Sequence, residues 1–88
     1  MKYRSRTEIV TQILEATSQA ATKTKIMYRA FLSHAQLKEY LTALEFNELI
    51  VYDEKNQLYR TTDKGFRFLK LYYQIDKLTS SKKDELAT

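Results

Sequence analysis

The sequence predicts a mainly helical domain with one β-hairpin placed between the third and fourth of four helices. Three observations predict it. Proline is absent and glycine occurs once in 88 residues, so little interrupts helix formation. Apolar residues recur with helical spacing in four segments. Between the last two, LIVYD and QLYRTT switch to β-branched and aromatic residues around the polar run Asp53-Glu54-Lys55-Asn56-Gln57.

The first helix is predicted over Arg6 to Thr17, where Ile9, Val10, Ile13 and Leu14 form one apolar face. Ser18-Gln19-Ala20-Ala21 breaks the pattern. A short second helix follows over Lys23 to Ala30, with Thr22 as its cap and Ile26, Met27, Ala30 and Phe31 as its inner side. The third helix starts at LSHAQLKEYL. Ser33 and Gln36 have the spacing of a capping box, and Leu32 with Leu37 that of a hydrophobic staple. Leu37, Leu41 and Leu44, with Tyr40 beside them, form its buried stripe. It is expected to end at Phe46-Asn47. The two strand-like runs then make a hairpin with a loop of about four residues, Asn56 being the candidate for positive φ. The last helix is predicted from Thr62, with Asp63 complementing its N-terminal dipole, to Leu78. Helix, short helix, turn, capped helix, hairpin, helix is the order of a winged helix-turn-helix, with the hairpin as the wing. Residues 1–78 are expected to form this domain, and residues 79–88 a polar, frayed tail.

Composition narrows the function. There is no cysteine and a single histidine, so neither a disulfide nor a zinc site of the usual ligands can be assembled. No cofactor is implied. No apolar run approaches the ~18–20 residues of a membrane span, and no signal peptide is recognisable; a soluble cytoplasmic protein is expected. The formal charge is +4. Residues 1–30 carry six basic and two acidic side chains, whereas residues 31–88 carry nine of each. The whole excess therefore lies in the first third, which favours an anionic partner.

Three stretches, TKTKIMYRAFLSHAQLKEYLTAL, LIVYD and YRTTDKGFRFLKLY, resemble the archaeal ArnR-like winged-helix domains of small transcription regulators. The likeness covers about residues 7 to 75. It implies binding of double-stranded DNA as a homodimer joined through the C-terminal helix, and some members are chromatin-type proteins. Where that family usually has Gly before the first wing strand, this chain has Glu48; the turn out of the third helix is then expected at Asn47.

In helix-turn-helix proteins the second helix of the motif enters the major groove with its N-terminal part nearest the bases. With Leu37, Leu41 and Leu44 turned inward, Ala35, Lys38, Glu39 and Thr42 turn outward. His34, Gln36, Lys38 and Thr42 are the candidate base contacts. Gln36 has a rival use in its own capping box, and the carboxylate of Glu39 works against phosphates. His34 lacks partners for a metal site and a matched nucleophile or carboxylate for catalysis, which leaves a surface contact. The candidate phosphate contacts are Arg4, Arg6, Thr22, Lys23, Thr24, Lys25, Arg29, Lys55 and Arg60, with Lys2 extending the N-terminal arm. Those at the start of the second helix add charge where backbone N–H groups already favour anions.

The last helix is too apolar for one core face. Phe66, Leu69 and Tyr73 are expected to complete the core. Phe68, Leu71, Ile75 and Leu78, with Tyr72 beside them, form a separate stripe of heptad spacing. Its burial against a second copy of the chain makes these five the candidate dimer interface; the alternative is that the first helix covers them. No glycine-rich phosphate loop, nucleophile motif or metal spacing is present, so no enzyme is expected. The reading is a dimeric DNA-binding transcription regulator. A chromatin or architectural DNA-binding protein and a winged-helix protein-interaction module are the alternatives.

Overall fold

The computed structural model describes residues 4–87, with side chains described for residues 4–79; Lys2 lies outside them. Four helices and a hairpin follow in the predicted order: α1 (Arg6–Thr17), α2 (Lys23–Ala30), α3 (His34–Phe46), β1 (Ile50–Asp53), β2 (Leu58–Thr61) and α4 (Asp63–Ala87). This is a winged helix-turn-helix. Among the described residues no helix is long and apolar enough to cross a membrane.

Each of the first three helices starts at a hydroxyl cap. Ser5 and Glu8 form a capping box at α1, Thr22 accepts from the Lys25 amide at α2, and Ser33 and Gln36 form the box predicted at α3. Buried Ile13, Leu14, Ile26, Ala30, Leu37, Leu41, Leu44, Ile50 and Leu69 make one core. The hairpin pairs Ile50 with Thr61 and Asp53 with Leu58. A bridge not foreseen from the sequence ties it to the helices: the amides and carbonyls of Ala21 and Tyr59 exchange hydrogen bonds of 3.0 and 2.8 Å. The residues just before α2 are thereby held against the wing. The Tyr73 hydroxyl donates to Glu15, linking α4 to α1. That bond, with desolvation, pushes the Tyr73 pKa up to about 12. Its contribution to stability is therefore present below the ordinary tyrosine pKa of ~10 and lost as pH rises toward the folded value.

The turns differ from expectation in an instructive way. Left-handed φ falls on Ala20, Phe31, Glu48 and Gln57. Gln57 takes the role expected of Asn56, because Asp53 captures the Asn56 amide and side chain. These Asn56 bonds, side chain first, hold the Asp53 carboxyl below its ordinary pKa. Phe31 is 80% exposed rather than inward, since its left-handed backbone (φ 52°) swings the side chain out and gives the buried place to Leu32. Glu48, not Asn47, carries the turn out of α3, with φ 61°. A left-handed non-glycine residue costs about 1–2 kcal/mol. Glu48→Gly is accordingly expected to stabilise the domain by about 1 kcal/mol after the extra chain entropy of glycine is offset. A denaturant midpoint unchanged or lowered in that variant would refute the strain.

The core face of α4 also differs. Gly65 and Leu69 are buried, Phe68 and Tyr72 half-buried, and Phe66 and Tyr73 exposed. The face is centred on a residue with no side chain, so hydrophobic patterning placed it wrongly. Finally, α4 runs to Ala87 rather than Leu78. No Pro or Gly follows Leu78, and Lys, Glu, Leu and Ala in that stretch all favour helix.

Candidate nucleic-acid interface

Helix α3 presents its first turn and one full face to solvent. His34, Ala35, Lys38, Glu39, Thr42, Glu45 and Phe46 are all exposed along it, while Leu37, Leu41 and Leu44 anchor the opposite face. The width of a major groove admits such a helix. The capping box resolves the state of Gln36. Its Oε1 accepts from the Ser33 backbone amide at 3.0 Å, and the Gln36 backbone amide donates to Ser33 Oγ at 3.2 Å. Bidentate pairing with adenine needs both the oxygen and the nitrogen of the side-chain amide, so within the box only Nε2 is left to donate. The Thr42 hydroxyl donates to the Lys38 carbonyl at 2.9 Å, which leaves its oxygen as an acceptor. His34 stands exposed at the helix start. Phe46 stands at the far end of the same face and is 86% exposed; in the sequence its place beside Asn47 marks only the end of the helix.

Beside this face runs a groove of about 620 Å³, lined by Arg6, Lys38, Tyr40, Thr42 and Phe46 among others. The Arg6 guanidinium lies 5.2 Å from the centre of the Tyr40 ring, a cation–π contact that holds the charge at the rim of α3. Arg4 is placed otherwise. Its guanidinium donates to the carbonyls of Ala30 and Phe31 and to Gln12. It therefore satisfies the carbonyl end of α2, where a cation is favoured.

The residues at the start of α2 divide between two surfaces. Thr22, Lys23 and Thr24 face the wing across a cleft of about 350 Å³ that Tyr52, Gln57 and Tyr59 complete. The Tyr52 and Tyr59 rings lie 4.6 Å apart in its wall. Amides in the first turn of a helix have no intrahelical acceptor and point toward such a cleft. Lys25 and Arg29 are on the other flank of α2, where they line a polar hollow with Glu15, Ser18 and Gln19. One cation cluster in the sequence is thus two in space, because positions 23 and 25 differ by about 200° around a helix. The three cleft residues from the wing carried no signal in the sequence; the Ala21–Tyr59 bridge brings them there. Lys55 sits at the exposed wing tip and Arg60 on an exposed position of β2.

The proposed dimer stripe is divided as well. Phe68 and Tyr72 are half-buried within their own protomer, whereas Leu71, Ile75 and Leu78 are 59%, 63% and 75% exposed.

Comparison with known proteins agrees with this architecture. Residues 3–80 match a protein family described as winged helix-turn-helix. No curated protein matches in sequence. Among solved structures, the chain is similar to Sso10a-2, a DNA-binding protein from Sulfolobus solfataricus, with a TM-score of 0.75 and 21% identity over 96% of this chain and 94% of that one. It is also similar to ZitR of Lactococcus lactis, with a TM-score of 0.72 and 23% identity over 98% of this chain and 61% of that one.

Proposed function

The chain belongs to the winged helix-turn-helix family, and from that premise we propose that it binds double-stranded DNA as a transcription regulator of the archaeal ArnR-like kind, located with the nucleoid. The observation that carries the reading is the free, boxed start of α3. Its exposed face offers His34, Lys38 and Thr42 to a groove, and its rim holds Arg6. The first turn of α2, with Lys23 and the open amides beside the wing, is suited to clamp one phosphate strand. Lys55 and Arg60 extend that contact along the hairpin. The DNA-binding character of Sso10a-2, similar over nearly its full length, supports the same role. Arg4 contributes by holding the end of α2 in place rather than by meeting phosphate.

The protein acts as a homodimer in this reading. Leu71, Ile75 and Leu78 form an exposed apolar row on one side of α4, with Phe68 and Tyr72 at its edge. Burial of each against a twin contributes about 1.5–3 kcal/mol before association costs. A monomer mass in sedimentation equilibrium at micromolar concentration would remove this part of the proposal.

The test of binding is a mobility shift on unrelated duplexes at low and moderate salt. Wild type is expected to bind with micromolar or tighter affinity and to weaken as salt rises, because each neutralised phosphate releases counterions. Lys23→Glu with Lys25→Glu should weaken binding by about tenfold or more at low salt. Absence of a shift for wild type at low salt would sink the reading. A specificity ratio near one would favour an architectural protein over a regulator. A protein-docking role is favoured by Glu39, Glu45 and Glu48 along and just after α3; in that case the double variant would leave partner binding intact.

A further inference from the structure

Helix α4 has a face that neither the core nor the α3 surface uses. Gly65 and Leu69 mark its inward side. At about 100° per residue the opposite side carries Arg67, Gln74, Leu71 and Leu78, and Lys70 and Lys77 follow along one flank of it, all exposed. Asp63 begins the same line one turn before Arg67, and Asp76 lies toward the inward side. Among the described residues, Arg67, Lys70 and Lys77 have no hydrogen-bond or ion-pair partner. Three unpaired cations therefore follow one line of the helix, over a length of about 15 Å at ~1.5 Å per residue.

The distribution of charge gives this line its meaning. From Ser33 to Thr61, the stretch that holds α3 and the wing, there are three basic and five acidic side chains. The segment placed nearest the bases is thus net acidic, and phosphate attraction has to come from other surfaces. From Arg4 to Leu32 the count is five basic and two acidic, and from Asp63 to Thr79 it is four and two. The second of these excesses is concentrated on the outward line of α4.

We infer that the outward face of α4 is a DNA phosphate-binding surface, with Arg67, Lys70 and Lys77 as its contacts. The inference rests on the DNA-binding reading above. The chemistry is that of spaced monovalent cations against a regular row of phosphates. One strand of a duplex advances ~3.4 Å per phosphate along the axis, so about four phosphates match the length of the row. The partner has to be anionic and periodic, and a duplex is both. Lys70 and Lys77 lie about 80–160° around the helix from the apolar row at Leu71, Ile75 and Leu78, and Arg67 borders that row, so pairing of two copies there leaves Lys70 and Lys77 facing solvent with Arg67 at the edge of the contact. Helix α1 packs against both α2 and α4, and Arg67 and Lys70 lie on the side of α4 away from the buried Gly65 and Leu69, with Lys77 one turn beyond the Tyr73 that bonds Glu15 of α1. The stripe is accordingly a contact separate from the α2 clamp, and its loss should leave that clamp in place.

The salt dependence of binding counts phosphate contacts and so tests the inference. Duplex affinity is measured by fluorescence anisotropy over a range of salt for wild type and for the triple variant Arg67→Gln, Lys70→Gln, Lys77→Gln. Each contact contributes a slope of about 0.9 in log affinity against log salt. The triple variant is expected to flatten the slope by about 2–3 per bound protomer. Gln74→Lys, which adds a cation to the same line, should steepen it by about 1. An unchanged slope in the folded triple variant, with wild type still binding, overturns this inference and leaves the DNA-binding reading intact. If the triple variant loses its helical circular dichroism, Gln74→Lys decides alone, and an unchanged slope there overturns the inference. Failure of wild type to bind duplex at low salt overturns both.

Discussion

Gly65→Ala is expected to lower the unfolding free energy by about 2–3 kcal/mol, although alanine is the better helix former. A Cβ at position 65 would fall closer than 3.0 Å to both the Leu49 carbonyl oxygen and the Thr61 methyl. Neither neighbour is free to yield. The Leu49 carbonyl accepts the Thr62 amide at 3.0 Å, and the Thr61 hydroxyl is held by Leu14 and Thr17. The same corner is latched twice more, by the Thr62 hydroxyl on the Glu48 carbonyl and by the Lys64 ammonium on the Asn47 carbonyl. Helix α4 would have to lift from the root of the wing. Overpacking of this kind costs about 1–3 kcal/mol and sometimes more, while the gain in helix propensity is at most about 1 kcal/mol. The clash wins because it involves backbone rather than the end of a flexible side chain. Urea unfolding followed by circular dichroism reads the difference. A variant as stable as wild type would show that the approach of α4 to Leu49 is looser than described.

The second large effect is expected at a buried pair of hydroxyls. Thr61 Oγ1 donates to the Leu14 carbonyl at 2.7 Å. A hydroxyl has one proton; with that of Thr61 on Leu14, the Thr17 proton is shared between Thr61 Oγ1 at 2.7 Å and the Ile13 carbonyl at 2.9 Å. The Leu14 carbonyl lies in the last turn of α1, and the Ser18 amide that would ordinarily reach it bonds Glu15 instead. Thr61→Val keeps the shape and leaves that carbonyl with only a 3.3 Å contact to Thr17. The cost is expected to be about 1–3 kcal/mol. Thr17→Val should cost less, because Thr61 keeps its acceptor. The double variant should be less destabilised than the sum of the two, with a coupling of about 0.5 kcal/mol or more. Additive losses in that cycle would mean the hydroxyls act independently and the chain from α1 to the wing carries no coupling.

Much of the fold was legible in the sequence because it is encoded locally. The start of α3 rests on residues 32–37 alone, and the structure places the cap, box and helix there. The leucine stripe of α3 and the change of period into the wing are equally local. What failed depended on partners distant in sequence or on residues without a side chain to read. Phe66 and Tyr73 look like core residues by spacing, but the inward direction of α4 is set by the contact of Gly65 with Leu49 and Thr61. Phe31 has the composition of an inner face and lies outside because of the backbone turn.

The candidate interface divides in the same way. The cation excess of the first third and the outward face of α3 were evident from residue order. Whether those cations share a surface was not. Arg4 is taken up by the end of α2, Arg6 sits on Tyr40, and Lys23 and Lys25 point to opposite flanks. The tyrosines that complete the α2 cleft arrive through a bridge between residues 21 and 59. The sequence by itself determined the order of the helices, the caps of α2 and α3, the wing and the winged-helix architecture, since capping and hydrophobic period act over a few residues. Tertiary structure alone decided which charges are taken up within the protein and which stay exposed, because that depends on backbone carbonyls and rings brought together only when the chain folds.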